Sequence, residues 1–283
     1  IRKFFNDTPI TYTKDSASDD DLPDDEFCRI MSVAADYYHL QVSENAEVVE
    51  YLTKDRGLTI DSIRKHRIGF SDGGLITHLV TEGFDIEAVK KTGIIDAWGN
   101  DSLNGMLTIP YQVHGQVVQI RGRRFGEDAV GPKYKTPKGQ AARLFNQDAT
   151  LTDGMLTVAE GELDCIVLEQ LGFNAVGLPG CENLDENWLP MFSMPHKVVL
   201  CLDNDAAGRR AAEKHATTLG PKSRIAEMPE DVDVTDWYVK HGKSTDDFEY
   251  LFAKSKGGIL VSVRECYDRW LEVEGNPDLV GLK

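Results

Sequence analysis

Residues 198–216, VVLCLDNDAAGRRAAEKHA, give the first indication of the fold class. Five apolar residues lead directly into Asp203 and Asp205, and a helix-forming segment follows them. A short apolar run followed by a helical pattern is typical of a strand-to-helix connection in an α/β sheet. Ligands of open parallel sheets bind beyond the carboxyl ends of the strands. The two aspartates are therefore predicted to lie where a ligand binds.

The same pattern repeats around this stretch. Apolar runs at 155–160, 174–178, 197–202 and 223–228 alternate with helical segments. Such alternation predicts β-α-β units and a largely parallel sheet with helices on both faces. We therefore expect an α/β domain over residues 151–242.

A different organisation is predicted for the N-terminal half. Residues 27 to about 70 have helical spacing, with Gly57 as a helix stop and Thr59 as a cap. Residues 106–124 alternate as strands, and His114-Gly115 is suited to the turn between them. We therefore expect a mixed α+β subdomain over residues 27–150.

The two ends of the chain are predicted to lie outside these units. Residues 15–26 carry seven acidic residues and no basic one, so residues 1–26 are expected to form an acidic linker or disordered segment. Residues 243–283 are expected to form a helical tail and a linker. Because the first residue is Ile1, the chain is expected to be a fragment or a processed product.

Composition excludes several classes of protein. The net charge of −16 argues against wrapping nucleic acid over the whole surface. The five cysteines are never spaced C-x-x-C, which excludes a zinc ribbon and favours a reducing, cytoplasmic compartment. No apolar run has the length of a membrane span, so no membrane partner is expected.

Acidic residues follow several of the predicted strands. Glu160 ends one strand, and Asp203 and Asp205 follow another. Each acid alone is best explained by an ordinary role, such as Asp205 capping a helix. Together they are better explained by a Mg²⁺ site, because hard oxygen ligands suit this ion. Further candidate oxygens come from Asp164, Asp231, Asp233 and Asp236.

One stretch of this acidic protein carries a positive net charge. Residues 121–143 hold seven basic residues against Glu127 and Asp128, with Phe125 and Tyr134 among them. A basic, glycine-interrupted stretch with aromatic residues suits phosphate contact and base stacking on a single strand. A solvated hairpin tip explains the composition equally well.

These motifs together resemble the catalytic region of DnaG-type primases of bacteria and phages. Glu160 in VAEGELD matches the glutamate of the Toprim domain, and LDNDAAGR matches its D-x-D motif. Asp233 matches the further acidic motif, with Asp236 or Thr235 at the next position. The N-terminal half resembles the primase polymerase domain in YLTKDRGLTIDSIRKHRIGF, IPYQVHGQVVQIRGRR and GPKYKTP.

The resemblance implies a Toprim Rossmann-like fold and a DNA primase that makes short RNA primers on single-stranded DNA from ribonucleoside triphosphates. It implies Mg²⁺ or Mn²⁺ as cofactor, with Glu160, Asp203 and Asp205 as catalytic residues. Glu160 is either a metal ligand or a general base. The implied metal ligands are Glu160, Asp164, Asp203, Asp205, Asp233 and Asp236, and the implied nucleotide- or template-binding residues are Arg121, Arg123, Arg124, Lys133, Tyr134 and Lys135.

Two other functions share the acidic motifs. A Toprim nuclease of the overcoming-lysogenization type would use the same carboxylates to activate water, and a recombination mediator would bind nucleic acid without chemistry. The primase-like N-terminal half favours polymerisation. Nothing in this sequence can ligate zinc as the zinc-binding domain usual in such primases does, so that domain is expected either to have been cut off before Ile1 or to be lacking in this lineage. GNPDLVGLK resembles the start of a linker to a helicase. A replicative helicase, in trans or fused, is therefore the expected partner.

Overall fold

The computed structural model describes residues 23–126 and 131–257. Two sheets organise them, one antiparallel with four strands and one mostly parallel with five. None of the helices in this part of the chain combines the length and the apolar character that a membrane span requires.

The N-terminal subdomain begins with helices, as predicted. Helix α1 (Asp25–Val42) starts where Asp24 accepts a hydrogen bond from the Phe27 amide at 2.8 Å. Gly57, with φ +63°, separates the next helical segment from the helix that Thr59 caps. The remaining helical segments are α2 (Ala46–Glu50), a π-helical turn (Tyr51–Asp55), α3 (Ile60–Lys65), α4 (Leu75–Thr81) and α5 (Ile86–Lys91).

Sheet 1 is antiparallel in the order β1-β2-β3-β4. His114 and Gly115 both have positive φ, at 49° and 78°, as a two-residue hairpin turn between β2 and β3 requires. The predicted turn is therefore confirmed. The strands are β1 (Gly69–Phe70), β2 (Leu107–Val113), β3 (Gln116–Arg123) and β4 (Tyr134–Lys135).

Sheet 2 has the order β6-β5-β7-β8-β9. Its first four strands are parallel and β9 is antiparallel to β8. This confirms the predicted α/β fold with a largely parallel sheet. The strands are β5 (Met155–Ala159), β6 (Ala175–Gly177), β7 (Lys197–Cys201), β8 (Ser223–Ile225) and β9 (Lys256–Gly257).

The helices of the second subdomain pack on both faces of sheet 2, as expected. One buried cluster joins α6 and α9 to the sheet, and another joins α7 and the segment around Trp188 to its other face. The helical segment between β6 and β7 is a 3₁₀-helix that contains Pro190, which has no amide hydrogen to donate. The helices are α6 (Glu162–Gln170), the 3₁₀-helix Glu186–Ser193, α7 (Ala206–Leu219), α8 (Val234–Val239) and α9 (Thr245–Ala253).

The two predicted end segments fall largely outside the described residues. Only residues 23–26 of the predicted linker are described, and Asp25 already begins α1. In the segment 243–283, α9 is helical as expected, but residues 256–257 form β9 instead. Pairing with β8 satisfies the backbone groups of a sheet edge, which a helix at this position would leave open.

The two subdomains share one core. A single buried cluster includes Leu52 and Ile109 of the first and Leu163 and Val167 of the second. Polar contacts reinforce it, because Glu169 of α6 lies 2.6 Å from His66 and 2.7 Å from Lys65. The two sheets are therefore held against each other by burial as well as by charge.

Candidate active site

Four carboxylates without an ion pair line one cavity of about 120 Å³ between the two subdomains, together with Glu162, which is paired with Arg121. Glu160 directly follows β5, Asp203 follows β7 by two residues, and Asp164 lies in the first turn of α6. Asp233 is the N-cap of α8. All four side chains are half-buried. The structure thus brings together acids that the sequence separates by up to 73 residues.

Local geometry fixes this arrangement. The backbone amide of Asp203 donates to Glu160 Oε2 at 3.2 Å, which ties the ends of the two neighbouring strands. Asp164 Oδ1 accepts the Thr235 hydroxyl at 2.6 Å and its amide at 3.1 Å. A Cβ at Gly208 would lie 2.0 Å from the Asp203 carbonyl oxygen. Glycine is required there because α7 passes so close to the acidic loop.

No basic side chain of the described residues forms an ion pair with these four carboxylates. Burial raises the pKa of Asp203 to about 8, and the nearby charges of Glu160 and Asp164 add to this rise. Burial also raises the pKa of Asp164 to about 6, with a contribution from Asp233. Burial and acidic neighbours raise the pKa of Glu160. Among the ion pairs of the described residues, none includes these four carboxylates.

The donor set fits a divalent cation. Carboxylate oxygens are the ligands that hard cations prefer, and such an ion would relieve the repulsion among the four charges. In the described part of the chain, no three acidic, histidine or cysteine side chains are already arranged to hold a metal ion.

Two of the predicted metal ligands lie outside this cavity. Asp205 caps α7 by accepting the Gly208 amide at 2.7 Å, which is the ordinary role considered for it from the sequence. Asp236 pairs with Lys240 at 2.7 Å. The negative charge of Asp205 still contributes to the raised pKa of Glu160. The assignment of Asp205 and Asp236 as metal ligands stays a prediction.

A basic and aromatic wall faces the carboxylates. Arg121 and Arg123 of β3 and Lys133 and Tyr134 at β4 all line the cavity. The Arg121 guanidinium lies 4.4 Å from the centre of the Tyr134 ring, and Lys133 Nζ lies 5.7 Å from it. Arg123 donates to the hydroxyls of Tyr51 and Tyr134. Part of the basic stretch is therefore a built surface and not a solvated tip.

The other two predicted basic residues do not line this cavity. Lys135 alternates with Tyr134 along β4 and is exposed to solvent. Arg124 is half-buried, and its backbone amide donates to the Lys133 carbonyl at 2.8 Å. Their roles in nucleotide or template binding stay predictions.

The sequence does not predict Glu162 and Arg56 as residues of the site, and it predicts Thr235 only as an alternative to Asp236. Glu162 is 1% exposed, accepts the Tyr111 hydroxyl at 2.8 Å and pairs with Arg121 at 2.7 Å. Arg56 and Thr235 line the carboxylate cavity. Glu162 stands in the first turn of a helix, where acids are common for local reasons. Its partner lies 41 residues earlier, and no local pattern signals such a pair.

Comparison with known proteins identifies the family. A family described as DNA primase catalytic core, N-terminal domain, matches residues 37–152, and a family described as Toprim-like matches residues 157–238. The Gene 57 protein of Mycobacterium phage D29 is 35% identical over 145 residues, which cover 49% of this chain and 93% of that protein. The chain belongs to the DnaG-type primase family.

More distant relatives agree with this membership. The DNA primase of Listeria monocytogenes is 28% identical over 236 residues, covering 76% of this chain and 36% of that primase. The chain thus spans about a third of the length of the bacterial DNA primases that it matches. The RNA polymerase domain of Mycobacterium tuberculosis primase DnaG has the same fold, with a TM-score of 0.71 at 23% identity over 92% of this chain and 94% of that one.

Family membership confirms the resemblance and the fold class stated from the sequence. It also supports the use of a divalent metal ion in general, because Toprim primases use one. The site residues themselves are our predictions, carried by the geometry described above.

Proposed function

We propose that this chain is the catalytic core of a DNA primase, which joins ribonucleotides into short RNA primers on single-stranded DNA. One observation carries the proposal. A cavity between the two subdomains has carboxylates at strand ends on one wall and arginine, lysine and tyrosine side chains on the other. Nucleotidyl transfer needs both kinds of wall, because it joins metal-bound phosphates to a polyanionic strand.

The acidic wall would hold the metal. We assign Glu160, Asp164 and Asp203 as its principal carboxylates, with Asp233 beside them. A bound Mg²⁺ or Mn²⁺ ion supplies charge neutralisation for the triphosphate and lowers the pKa of the attacking hydroxyl. The attacking group is the 3′-hydroxyl of the growing primer, so no protein nucleophile is required.

The basic wall would position phosphates. Arg121 is held by Glu162 of the second subdomain and Arg123 by two tyrosine hydroxyls of the first, so their guanidinium groups lose little freedom when a phosphate binds. Lys133 is exposed and forms no ion pair among the described residues, which leaves its ammonium group for the substrate. Tyr134 lies among these cations and fixes their spacing.

The biological setting follows from this activity. Single-stranded DNA and ribonucleoside triphosphates would be the substrates, and a replicative helicase, in trans or fused, would supply the template strand. The cytoplasm of a bacterium or of a phage-infected cell is the compartment in which these partners meet.

The experiment is a primer synthesis assay. The protein is incubated with single-stranded DNA, labelled ribonucleotides and Mg²⁺ or Mn²⁺, and the products are separated on a gel. Short labelled oligoribonucleotides are expected from the wild type and from the exposed control variant Asp231→Asn, and none from Asp203→Asn. Shortened template without new RNA would instead indicate a nuclease. DNA binding without any product, also when a primer is supplied, would indicate a binding module.

A further inference from the structure

A second cavity, of about 400 Å³, lies beside the carboxylate cavity. Arg121 and Pro179 line both, so the two cavities share a wall. Tyr111 and Gln119 of sheet 1 line one side of it, and Trp188 of the 3₁₀-helix lines the other. Its volume falls in the range of roughly 300–1,000 Å³ that small-molecule sites occupy. It has space for part of a ligand that also reaches the carboxylates.

The charges of this second cavity do not suit a phosphate. Among the described residues that line it, Arg121 alone is basic, and its guanidinium is already paired with Glu162 at 2.7 Å. Glu182 and Asp185, both exposed, add negative charge to the wall. A phosphate would be repelled there. An uncharged group is the better occupant.

Unpaired polar groups and aromatic rings indicate which kind of uncharged group fits the second cavity. Gln119 is 2% exposed and lines the cavity, and its Oε1 has no hydrogen-bond partner within the described residues. The same holds for Arg121 Nε. A buried polar group without a partner costs about 1–3 kcal/mol. A planar ring with a donor beside an acceptor would pair both groups and would contact Tyr111 and Trp188.

Nucleobases are rings of this kind, since each presents donors and acceptors on its edge. We propose that the second cavity binds the base of a ribonucleoside triphosphate whose phosphates lie at the carboxylate cavity. This inference rests on the proposed function, because it names where that function's substrate places its base. It predicts that the base, and not the phosphates alone, contributes to binding.

The test compares two probes by isothermal titration calorimetry in Mg²⁺. ATP carries the base, and inorganic tripolyphosphate carries the phosphates alone. The variant Ala142→Trp fills the cavity from an exposed position on its wall, and Ala141→Trp makes the same change at the exposed neighbour that does not line it. We expect Ala142→Trp to weaken ATP binding at least about tenfold, the size of a lost stacking contact. Tripolyphosphate binding should be unchanged, and Ala141→Trp should match the wild type for both probes.

A second pair of variants tests the hydrogen bond. Gln119→Leu removes the unpaired amide at nearly constant volume, and Gln116→Leu makes the same change on the same strand away from the cavity. We expect Gln119→Leu to weaken ATP binding about fivefold with no change for tripolyphosphate. A wild type that binds both probes equally would overturn the proposal. So would an Ala142→Trp variant that binds ATP normally or loses both probes equally.

These outcomes are distinct from failure of the proposed function. Primer synthesis without a preference for ATP over tripolyphosphate would overturn the base cavity and leave the primase assignment standing. A preference for ATP that Ala142→Trp abolishes, in a protein that makes no primers, would support the base cavity and contradict primer synthesis.

Discussion

The two walls of the carboxylate cavity balance their charges in different ways. Arg121 is paired with the buried Glu162, and Arg123 is held by two tyrosine hydroxyls. Glu160, Asp164 and Asp203 form no ion pair among the described residues, and burial raises the pKa of each. Among the described residues, the basic wall is balanced at Arg121 alone, and that ion pair contributes to stability and geometry. Carboxylates without a cationic partner are neutralised either by a proton or by a bound cation.

The variant Asp203→Asn tests the unbalanced wall and has the largest expected effect. Primer synthesis should fall at least about 100-fold, because an interaction with the reacting charges is lost. Thermal stability without divalent ions should not fall, because the substitution removes a repelled carboxylate. The matched control is Asp231→Asn, an exposed aspartate at φ +57°, a conformation that asparagine adopts readily. A marked loss of stability in Asp203→Asn with activity retained would show that Asp203 stabilises the fold and does not take part in the reaction.

The variant Arg121→Met tests the balanced wall. It leaves Glu162, 1% exposed, without its charged partner, so the free energy of unfolding should fall by about 3 kcal/mol. Urea unfolding measures this. The double variant Arg121→Met/Glu162→Gln should recover most of the loss, and the exposed control Arg210→Met should stay within about 0.5 kcal/mol of the wild type. Equal losses in the single and double variants would show that the pair is not what stabilises this wall.

Glu169 of α6 is a second carboxylate that is paired with basic side chains, Lys65 at the end of α3 and the adjacent His66. Burial alone would raise the pKa of Glu169, but hydrogen bonds from His66 and Lys65 outweigh it and lower that pKa below the usual 4.5. A carboxylate with a lowered pKa stabilises the fold at neutral pH, and its contribution is lost as the pH falls below 4.5 through the folded-state pKa. Glu169→Gln should therefore cost about 2 kcal/mol at neutral pH and much less in acid.

Urea unfolding at pH 7 and in acid below the Glu169 transition checks this dependence. The exposed Glu249→Gln on α9 is the matched control and should show little difference from the wild type at neutral pH. A deficit of Glu169→Gln that stays constant with pH would mean that its charge does not hold the subdomains together.

Substitutions of Lys133 and Lys135 have the smallest expected effect, a change in the salt dependence of DNA binding. Lys133 lines the cavity and Lys135 does not, although both are exposed and two residues apart. Removing one phosphate contact lowers the slope of log K against log salt by about 0.7 for single strands. We expect Lys133→Ala to lower the slope for single-stranded DNA by this amount and Lys135→Ala to lower it less. Equal slopes in the two variants would mean that the cavity does not guide the strand.

The sequence predicted those parts of the site that depend on local patterns. Glu160 and Asp203 follow apolar runs directly, and the end of a parallel strand is a fixed place in the fold. Thr59 as a helix cap and His114-Gly115 as a turn are likewise local, and both are confirmed. Such features need only a few consecutive residues to be recognised.

Local sequence patterns do not predict contacts between residues that are far apart in the sequence. Glu162 pairs with a residue 41 positions away, and Asp164 accepts hydrogen bonds from Thr235, 71 positions away. The sequence also does not distinguish a capping aspartate from one that faces a cavity. Asp205 and Asp233 both cap helices, but only Asp233 lines the carboxylate cavity as well. That distinction depends on how the two subdomains pack.

We infer that the carboxylates without an ion pair bind a divalent cation, and thermal unfolding across a Mn²⁺ titration tests this binding. An ion that binds only the folded protein raises the melting temperature with concentration. We expect this rise for the wild type and for Asp231→Asn, and its loss in Asp203→Asn. A melting temperature that does not respond to Mn²⁺ in the wild type, or that rises equally in Asp203→Asn, would contradict it.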